Sequence, residues 1–314
     1  MQNIMSVRES LEQGSLDQRI KEIYVDEQRV PYNRERYIRA IDRFTELFPS
    51  EKEIEIYSAP GRSEVCGNHT DHQNGMVLAT SINLDAIAIV AKAEEPVIRL
   101  VSGDFPMEEV DVADLSMKEE EQSTTTALIR GVAAGMKERG HKVGGFTAYI
   151  TSDVLMGAGM SSSAAFESLI GTILSGLYND MKVSSIEIAQ IGQYAENIYF
   201  GKPCGLMDQM ACSVGGMIFI DFKEKEHPEV RQVHTDFEKA GLSLCIVDTK
   251  GSHADLTPDY AAVPAEMNQV AQALGREHLR EVPRETFFKE LPKLWKETSG
   301  RAVLRAIHFY EEEE

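Results

Sequence analysis

Apolar positions along the chain change texture several times. From Ile54 the sequence runs through EIEIYSAP, GMVLATSINLDAIAIVAKA and VIRLVSGDF, rich in β-branched residues and punctuated by Asn74-Gly75, a strong turn signal. These runs predict strands of a mixed sheet. Leu128, Ile129, Val132, Ala133 and Met136 then share one helical face and predict a helix over about residues 125 to 139, followed by a strand in GFTAYITSDVL. Phe166, Leu169, Ile170, Ile173, Leu174 and Leu177 repeat at three and four, which predicts a helix just past the stretch VLMGAGMSSSAAFE. A second helix opens with the capping-box pattern Ser184-Ser185-Ile186-Glu187, runs through IAQIGQYAENIYFG and stops at Gly201 and Pro203.

GGMIFIDF predicts one more strand, and LSLCIVDTK another beyond the charged connector KEKEHPEVRQVHTDFEKAG. The first 50 residues are polar and broken, with helical spacing only near Tyr37, Ile38, Ile41, Phe44 and Leu47, and read as an N-terminal helical arm. A domain boundary is expected in the connector, giving segments 1–50, 51–240 and 241–314. The last segment reads mainly as helices, and its acidic end, HFYEEEE, is expected to be solvated.

At 314 residues, 42% hydrophobic and 26% charged, the composition is that of a soluble globular protein. A formal charge of -19 argues against nucleic-acid or anionic-membrane partners, which need a cationic face. A small anion remains possible where a local site or a metal ion supplies positive charge. The four cysteines form no CxxC pair, the first 30 residues hold no signal-like apolar stretch, and no apolar run approaches the roughly 20 residues of a membrane span. A reduced, cytoplasmic location is expected.

Three stretches carry candidate chemistry. In VLMGAGMSSSAAFE, glycines that permit close backbone approach lead into serines at a helix N-terminus, where N–H groups and the helix dipole favour an anion, phosphate first among them. A flexible turn that merely caps the helix is the plain alternative. In SAPGRSEVCGNHTDHQNG, Arg62, Asn68, His69, Asp71 and His72 crowd one loop between strands. That density suits a ligand with several hydroxyls, with a metal cluster or a surface loop as the alternatives. In YAENIYFGKPCGLMDQMACSVGG, Glu196 lies in a helix and Asp208 follows the Cys204-Gly205 turn, where a carboxylate can either enter a cleft or cap a helix.

Taken together, APGRSEVCGNHTDH, GAGMSSSAA and CGLMDQ, in this order, resemble the galactokinase branch of the GHMP small-molecule kinases over about residues 54 to 270. The resemblance implies an α+β fold, with an N-terminal domain like ribosomal protein S5 domain 2, followed by part of a GHMP-kinase C-terminal α+β domain. It implies an ATP-dependent sugar 1-kinase acting on D-galactose or a near relative. ATP phosphates would lie on Gly157, Ala158, Gly159, Ser161, Ser162 and Ser163, and Mg²⁺ on Ser163, or alternatively Ser162, with Glu196. Asp208 matches the carboxylate beside the sugar C1 hydroxyl, as base or orienting group, and Arg62 the arginine next to it. Asn68, His69, Asp71, Gly205 and Tyr260 match sugar-binding positions, Tyr260 through HADLTPDYAA.

The sequence departs from the family pattern at three points. Asn68 stands where galactokinases carry glutamate, and a neutral amide would tolerate a C6 carboxylate, so a galacturonate-type kinase is a competing expectation. His72 replaces the usual tyrosine. The glycine-rich third motif, GAGFGG-like, is missing, which leads to the expectation of a truncated or naturally shortened relative and to the alternative of a non-catalytic sugar and ATP binder. A metal-dependent hydrolase using His69, Asp71 and His72 is the remote third reading.

Overall fold

The computed structural model describes every residue except 156, 158, 225, 236, 238 and 248–256, and not the side chains of 257 and 258. The fold is α+β. Its centre is the pair of long strands β2 (Glu53–Cys66) and β3 (Met76–Lys92), which run antiparallel. Along its far edge, β3 pairs β7 (Met217–Asp221) through its first half and β6 (Phe146–Ser152) through its second. β6 then pairs in parallel with β4 (Val97–Ser102), whose other neighbour is β5 (Glu108–Asp111), so the sheet is mixed. Short strands β1 (Gln2–Asn3) and β8 (Glu229–Gln232) extend it beside β2 and β7.

The run Ala86 to Ala91 is buried at every position because both faces of the sheet are covered. By the period-two rule, Ala86, Ala88 and Val90 share a core with α4 (Thr125–Glu138), α5 (Ser162–Asn179) and α6 (Ser185–Tyr194). Ile87, Ile89 and Ala91 join the opposite core, with α1 (Ile4–Glu12), α2 (Asp17–Tyr24) and α3 (Val30–Leu47). The first 50 residues are thus helical as expected, but they lie as a layer flat against the sheet, and two of the three helices were invisible to the apolar spacing. Their polar positions face water, and only sparse anchors, Ile4, Val7, Leu11, Ile20 and Tyr24, reach the core.

One buried polar cluster locks this layer in place. The Asp85 carboxylate on β3 accepts from Tyr24 Oη at 2.8 Å, Arg36 Nη1 at 2.5 Å and Ser58 Oγ at 2.5 Å. Tyr37 lies 3.0 Å from Tyr24, and burial beside Asp85 pushes its phenol up to about 12. The carboxylate thus has three donors, one of them a buried guanidinium, and removing one side of such a pair is strongly destabilising.

α7 (Met207–Val214) follows the turn after a π-helical segment, Ala195–Phe200, that continues α6. Beyond β8 the expected strand in LSLCIVDTK is not formed. Residues 242–247 have no regular structure, Leu242, Leu244, Ile246 and Val247 are exposed, and 248–250 lie outside the described residues. A strand needs a neighbour for its ladder, and among the described residues none lies beside this one. The connector instead contributes β8, which its charge had concealed. Finally α8 (Thr257–Ala273), α9 (Arg284–Glu297) and α10 (Gly300–Glu312) bury a core of their own around Phe287, Leu294, Val303 and Phe309. The acidic end is not simply solvated, because Glu312 and Glu313 accept hydrogen bonds from main-chain amides of the β2–β3 loop. Among the described residues no helix is long and apolar enough to cross a membrane.

Asp85→Asn should lower folding stability by up to about 3–5 kcal/mol, because the buried Arg36 would lose its nearest counter-charge and keep only Asp153 at 3.5 Å. The urea-denaturation midpoint measures this, and an unchanged midpoint would refute the role assigned to the cluster.

Candidate functional site

A bulge in β2 aims the first site residue. Between Pro60 and Arg62 the register with β3 shifts by a bulge, the position where a strand tolerates proline and turns a side chain. Gly61 sits so close to the Gly/Ser loop that an added Cβ would lie 2.9 Å from the Met160 carbonyl and 3.0 Å from Val154. The Arg62 amide donates to the same Met160 carbonyl at 3.2 Å. Arg62 therefore belongs to the strand, not to the loop where it was expected, and its guanidinium is buried at the mouth of the Gly/Ser turn.

Asp208 meets it there. In the first turn of α7 its Oδ1 accepts from Arg62 Nε and Nη2, each at 2.8 Å, while Oδ2 accepts from Ser161 Oγ at 2.5 Å. Arg62 also donates through Nη1 to the Gly159 carbonyl at 2.5 Å. Burial alone would raise the Asp208 pKa, but the Arg62 charge and hydrogen bonds outweigh it and hold the carboxyl below the usual range. Asp208 is thus no helix cap. The capping contact goes instead to Asp71, whose buried carboxylate accepts the Met207 amide at 3.2 Å. A side chain on Gly205 would overlap that carboxylate at 1.8 Å, which is why a glycine precedes α7.

The Gly/Ser turn has the backbone of an anion cradle. Gly157, Gly159 and Ser161 all take left-handed φ, at +72°, +75° and +56°. Ser161 does so with a side chain, a strained state of the kind that clusters at working sites. No side chain caps the start of α5, so its leading N–H groups point into the turn. Ala158, also expected here, lies outside the described residues. Ser162 and Ser163 are half-buried in the first turn of α5.

Next to this cradle, Ser163 Oγ donates to Glu196 Oε1 at 3.2 Å. Lys202 Nζ reaches the same oxygen at 3.0 Å, and Gln209 Nε2 holds Oε2 at 2.9 Å. Burial would lower the Lys202 pKa, yet Glu196 keeps it above the ordinary value. Gln209 Nε2 also donates to Glu167 at 3.1 Å, and Glu167 is fully buried with its other oxygen unpartnered. Burial, with Glu196 nearby, raises the Glu167 pKa well above the carboxylate range. Among the described residues no three His, Cys, Asp or Glu side chains converge to hold a metal ion. A single carboxylate with a hydroxyl beside it, at the edge of an anion cradle, does fit Mg²⁺, which keeps waters and takes phosphate oxygens as its remaining ligands.

The residues expected to bind sugar divide. Asn68 and His69 are exposed at the tip, His69 with φ +54°, whereas Asp71 is buried against Gly205. His72 turns inward, its ring nitrogens without hydrogen-bond partners, and burial holds it below the usual histidine range. His69, Asp71 and His72 therefore point to different surroundings, which removes the basis for a metal-hydrolase reading. Tyr260 lies in the first turns of α8 and is 53% exposed. Its helix is tied to the loop by Gln73 Nε2 donating to Asn268 at 2.7 Å. Sequence reasoning missed Glu167, Lys202 and Gln209. Glu167 was detectable as the one charged residue inside apolar α5, and Gln209 as the neighbour of Asp208.

Residues 127–216 match the GHMP kinases N terminal domain and residues 42–92 the galactokinase galactose-binding signature. A galactokinase of Streptomyces coelicolor is 32% identical over 269 residues, covering 85% of this chain and 68% of the relative. A galactokinase of Lactobacillus helveticus is 29% identical, covering 77% of this chain and 63% of the relative. The chain thus spans close to two thirds of the length of these relatives. A crystal structure of Lactococcus lactis galactokinase complexed with galactose shares the fold, with a TM-score of 0.70, 24% identity, and coverage of 86% of this chain and 70% of that one.

Two outcomes follow from the electrostatics. In Arg62→Met, the Asp208 carboxyl should titrate above the usual carboxylate range instead of below it, read by ¹³C NMR; a titration that stays low would mean Arg62 is not what holds it. For Glu167, a raised folded-state pKa means a stability contribution present below about pH 4.3 and lost as pH rises towards the folded value. Glu167→Gln should flatten that decline in melting temperature against pH, and a variant that keeps the parental slope would contradict it.

Proposed function

Because the chain belongs to the galactokinase family, we propose that it transfers the γ-phosphoryl group of ATP to the C1 hydroxyl of D-galactose or a close relative. The observation that carries this reading is the meeting of Arg62, Asp208 and Ser161, which joins the strand leading to the sugar loop with the anion cradle and α7. In this assignment the sugar lies over Asp71, Gly205 and the exposed tip of Asn68 and His69, with Tyr260 on α8 as a further contact. The triphosphate lies on Gly157, Ala158, Gly159 and Ser161 to Ser163, where the N-terminus of α5 faces it. This local positive potential, with Arg62 and Lys202, explains how a chain of charge -19 binds an anion.

Asp208 is ionised at neutral pH and accepts the hydrogen bond of the C1 hydroxyl, orienting it and receiving its proton as the O–P bond forms. Arg62 keeps Asp208 charged and stabilises negative charge developing between sugar and phosphate. Ser163 and Glu196 are the residues that would hold Mg²⁺, with Ser162 as the adjacent alternative to Ser163. That ion, when bound, would offset the negative charge of the phosphates. Lys202, already paired with Glu196, adds a second cation on the same side.

Asn68 supports a specific second reading. At an exposed loop tip a neutral amide both donates and accepts, so a C6 carboxylate is tolerated and D-galacturonate competes with galactose.

The test is coupled ADP release with Mg-ATP on D-galactose, D-galacturonate, N-acetylgalactosamine and D-glucose, with Asp208→Asn beside the parent. Turnover by the parent on at least one sugar is expected, reduced in the variant by roughly 10²–10⁴-fold. Calorimetric affinity for the sugar should change little. Parental turnover in Asp208→Asn would remove its role, and binding of sugar and ATP without ADP release from the parent would favour a non-catalytic binding protein.

A further inference from the structure

The tip of the β2–β3 loop is held from outside. Gly67 has φ +88°, and a side chain there would lie 2.3 Å from the Met76 carbonyl, so the turn is tight and its amides point outward. Three successive amides need acceptors. Glu312 on α10 supplies Oε2 to the Gly67 amide at 2.9 Å and to the Asn68 amide at 3.1 Å. Glu64 on β2 takes the His69 amide at 2.8 Å. On the same helix His308 Nε2 lies 3.1 Å from the Asn68 carbonyl and donates to it in the tautomer that carries the proton there. Glu313 accepts the Met76 amide at 2.6 Å at the other end of the loop, and Arg280 anchors Glu313 while contacting Asp221 on β7 at 3.0 Å.

Every one of these loop contacts is made through the backbone at residues 67, 68, 69 and 76, while the Asn68 and His69 side chains stay exposed. We propose that Glu312 is a positioning residue for sugar recognition: by gripping the Gly67 and Asn68 amides it fixes where the Asn68 and His69 side chains are presented. The inference rests on the sugar-kinase reading for the identity of the ligand. Its physical basis does not, because a carboxylate bonded to two adjacent amides is a charge-assisted grip stronger than neutral hydrogen bonds. Restricting the loop before the sugar arrives lowers the ordering cost of binding.

The experiment compares the parent with Glu312→Ala and Glu312→Gln in the full chain. Hydrogen exchange at the Gly67 and Asn68 amides should quicken by at least about tenfold in Glu312→Ala, consistent with loss of hydrogen bonds to a charged acceptor. Exchange in α9 should not change. Sugar KM should rise by a similar factor, with ATP KM held and kcat little altered. Glu312→Gln, which keeps an acceptor oxygen, should fall between. Unchanged loop exchange, or sugar KM, ATP KM and α9 exchange all moving together, would overturn the proposal, the second pattern marking a merely structural contact. If the parent turns over no sugar, the kinase reading fails, and loop exchange together with calorimetric sugar affinity still decides the role of Glu312.

Discussion

The ion pair between Arg62 and Asp208 is the contact on which the site's geometry depends. Arg62 is 146 residues from Asp208 along the chain, and its position follows from a strand bulge and a glycine that lets β2 touch the Gly/Ser turn. Asp208 is brought there by α7, whose own start is capped by Asp71 from the β2–β3 loop. The β2–β3 loop and the Gly/Ser turn thus frame a charge pair that a strand and a helix supply. Because the pair is only partly shielded, with side-chain exposures of 9% and 28%, it can stay charged without the full cost of burial and remains open to a ligand on one side.

Behind it lies a second polar layer of different character. Glu196, Gln209 and Glu167 are all buried and form a chain of side-chain hydrogen bonds running from the cradle into the core. Glu196 keeps the company of Lys202 and Ser163, whereas Glu167 is closed off by helix packing and holds its proton. One carboxylate thus meets the Lys202 cation beside the cradle while the other is a protonated hydrogen-bonding group in the core. The N-terminal helical layer does not touch these groups. It secures the opposite face of β2 and β3 through Asp85, which accepts from Arg36 of α3 and from Ser58 of the strand that carries Arg62.

Local patterns in the sequence determined much of this. The strand runs, the turn at Asn74-Gly75, the helices after the serines and after Ser184, and the family signature all follow from short-range stereochemistry, because glycine conformations, helix caps and apolar periodicity are written in neighbouring residues. For the same reason the residues of the three motifs were legible as candidates. Only the tertiary structure decided which of them meet. Arg62 moved from loop to strand through pairing with β3, and the candidate cap at Asp208 became an ion-pair partner because Asp71 already occupies the capping position.

What depends on partners far along the chain stayed hidden. The helices at 4–12 and 17–24 are too polar to announce themselves, and form because the sheet offers them a face. LSLCIVDTK has the apolar texture of a strand but finds no neighbour among the described residues, while the charged segment 229–232 pairs with β7 and becomes one. Of the four glutamates that look like a solvated end, Glu312 and Glu313 reach the β2–β3 loop because α10 packs back beside it, while Glu311 and Glu314 pair with Arg284. Sequence alone determined the local conformations and the chemical inventory. The tertiary structure decided proximity, burial and therefore charge, because those depend on which distant backbone supplies the missing hydrogen-bond partner.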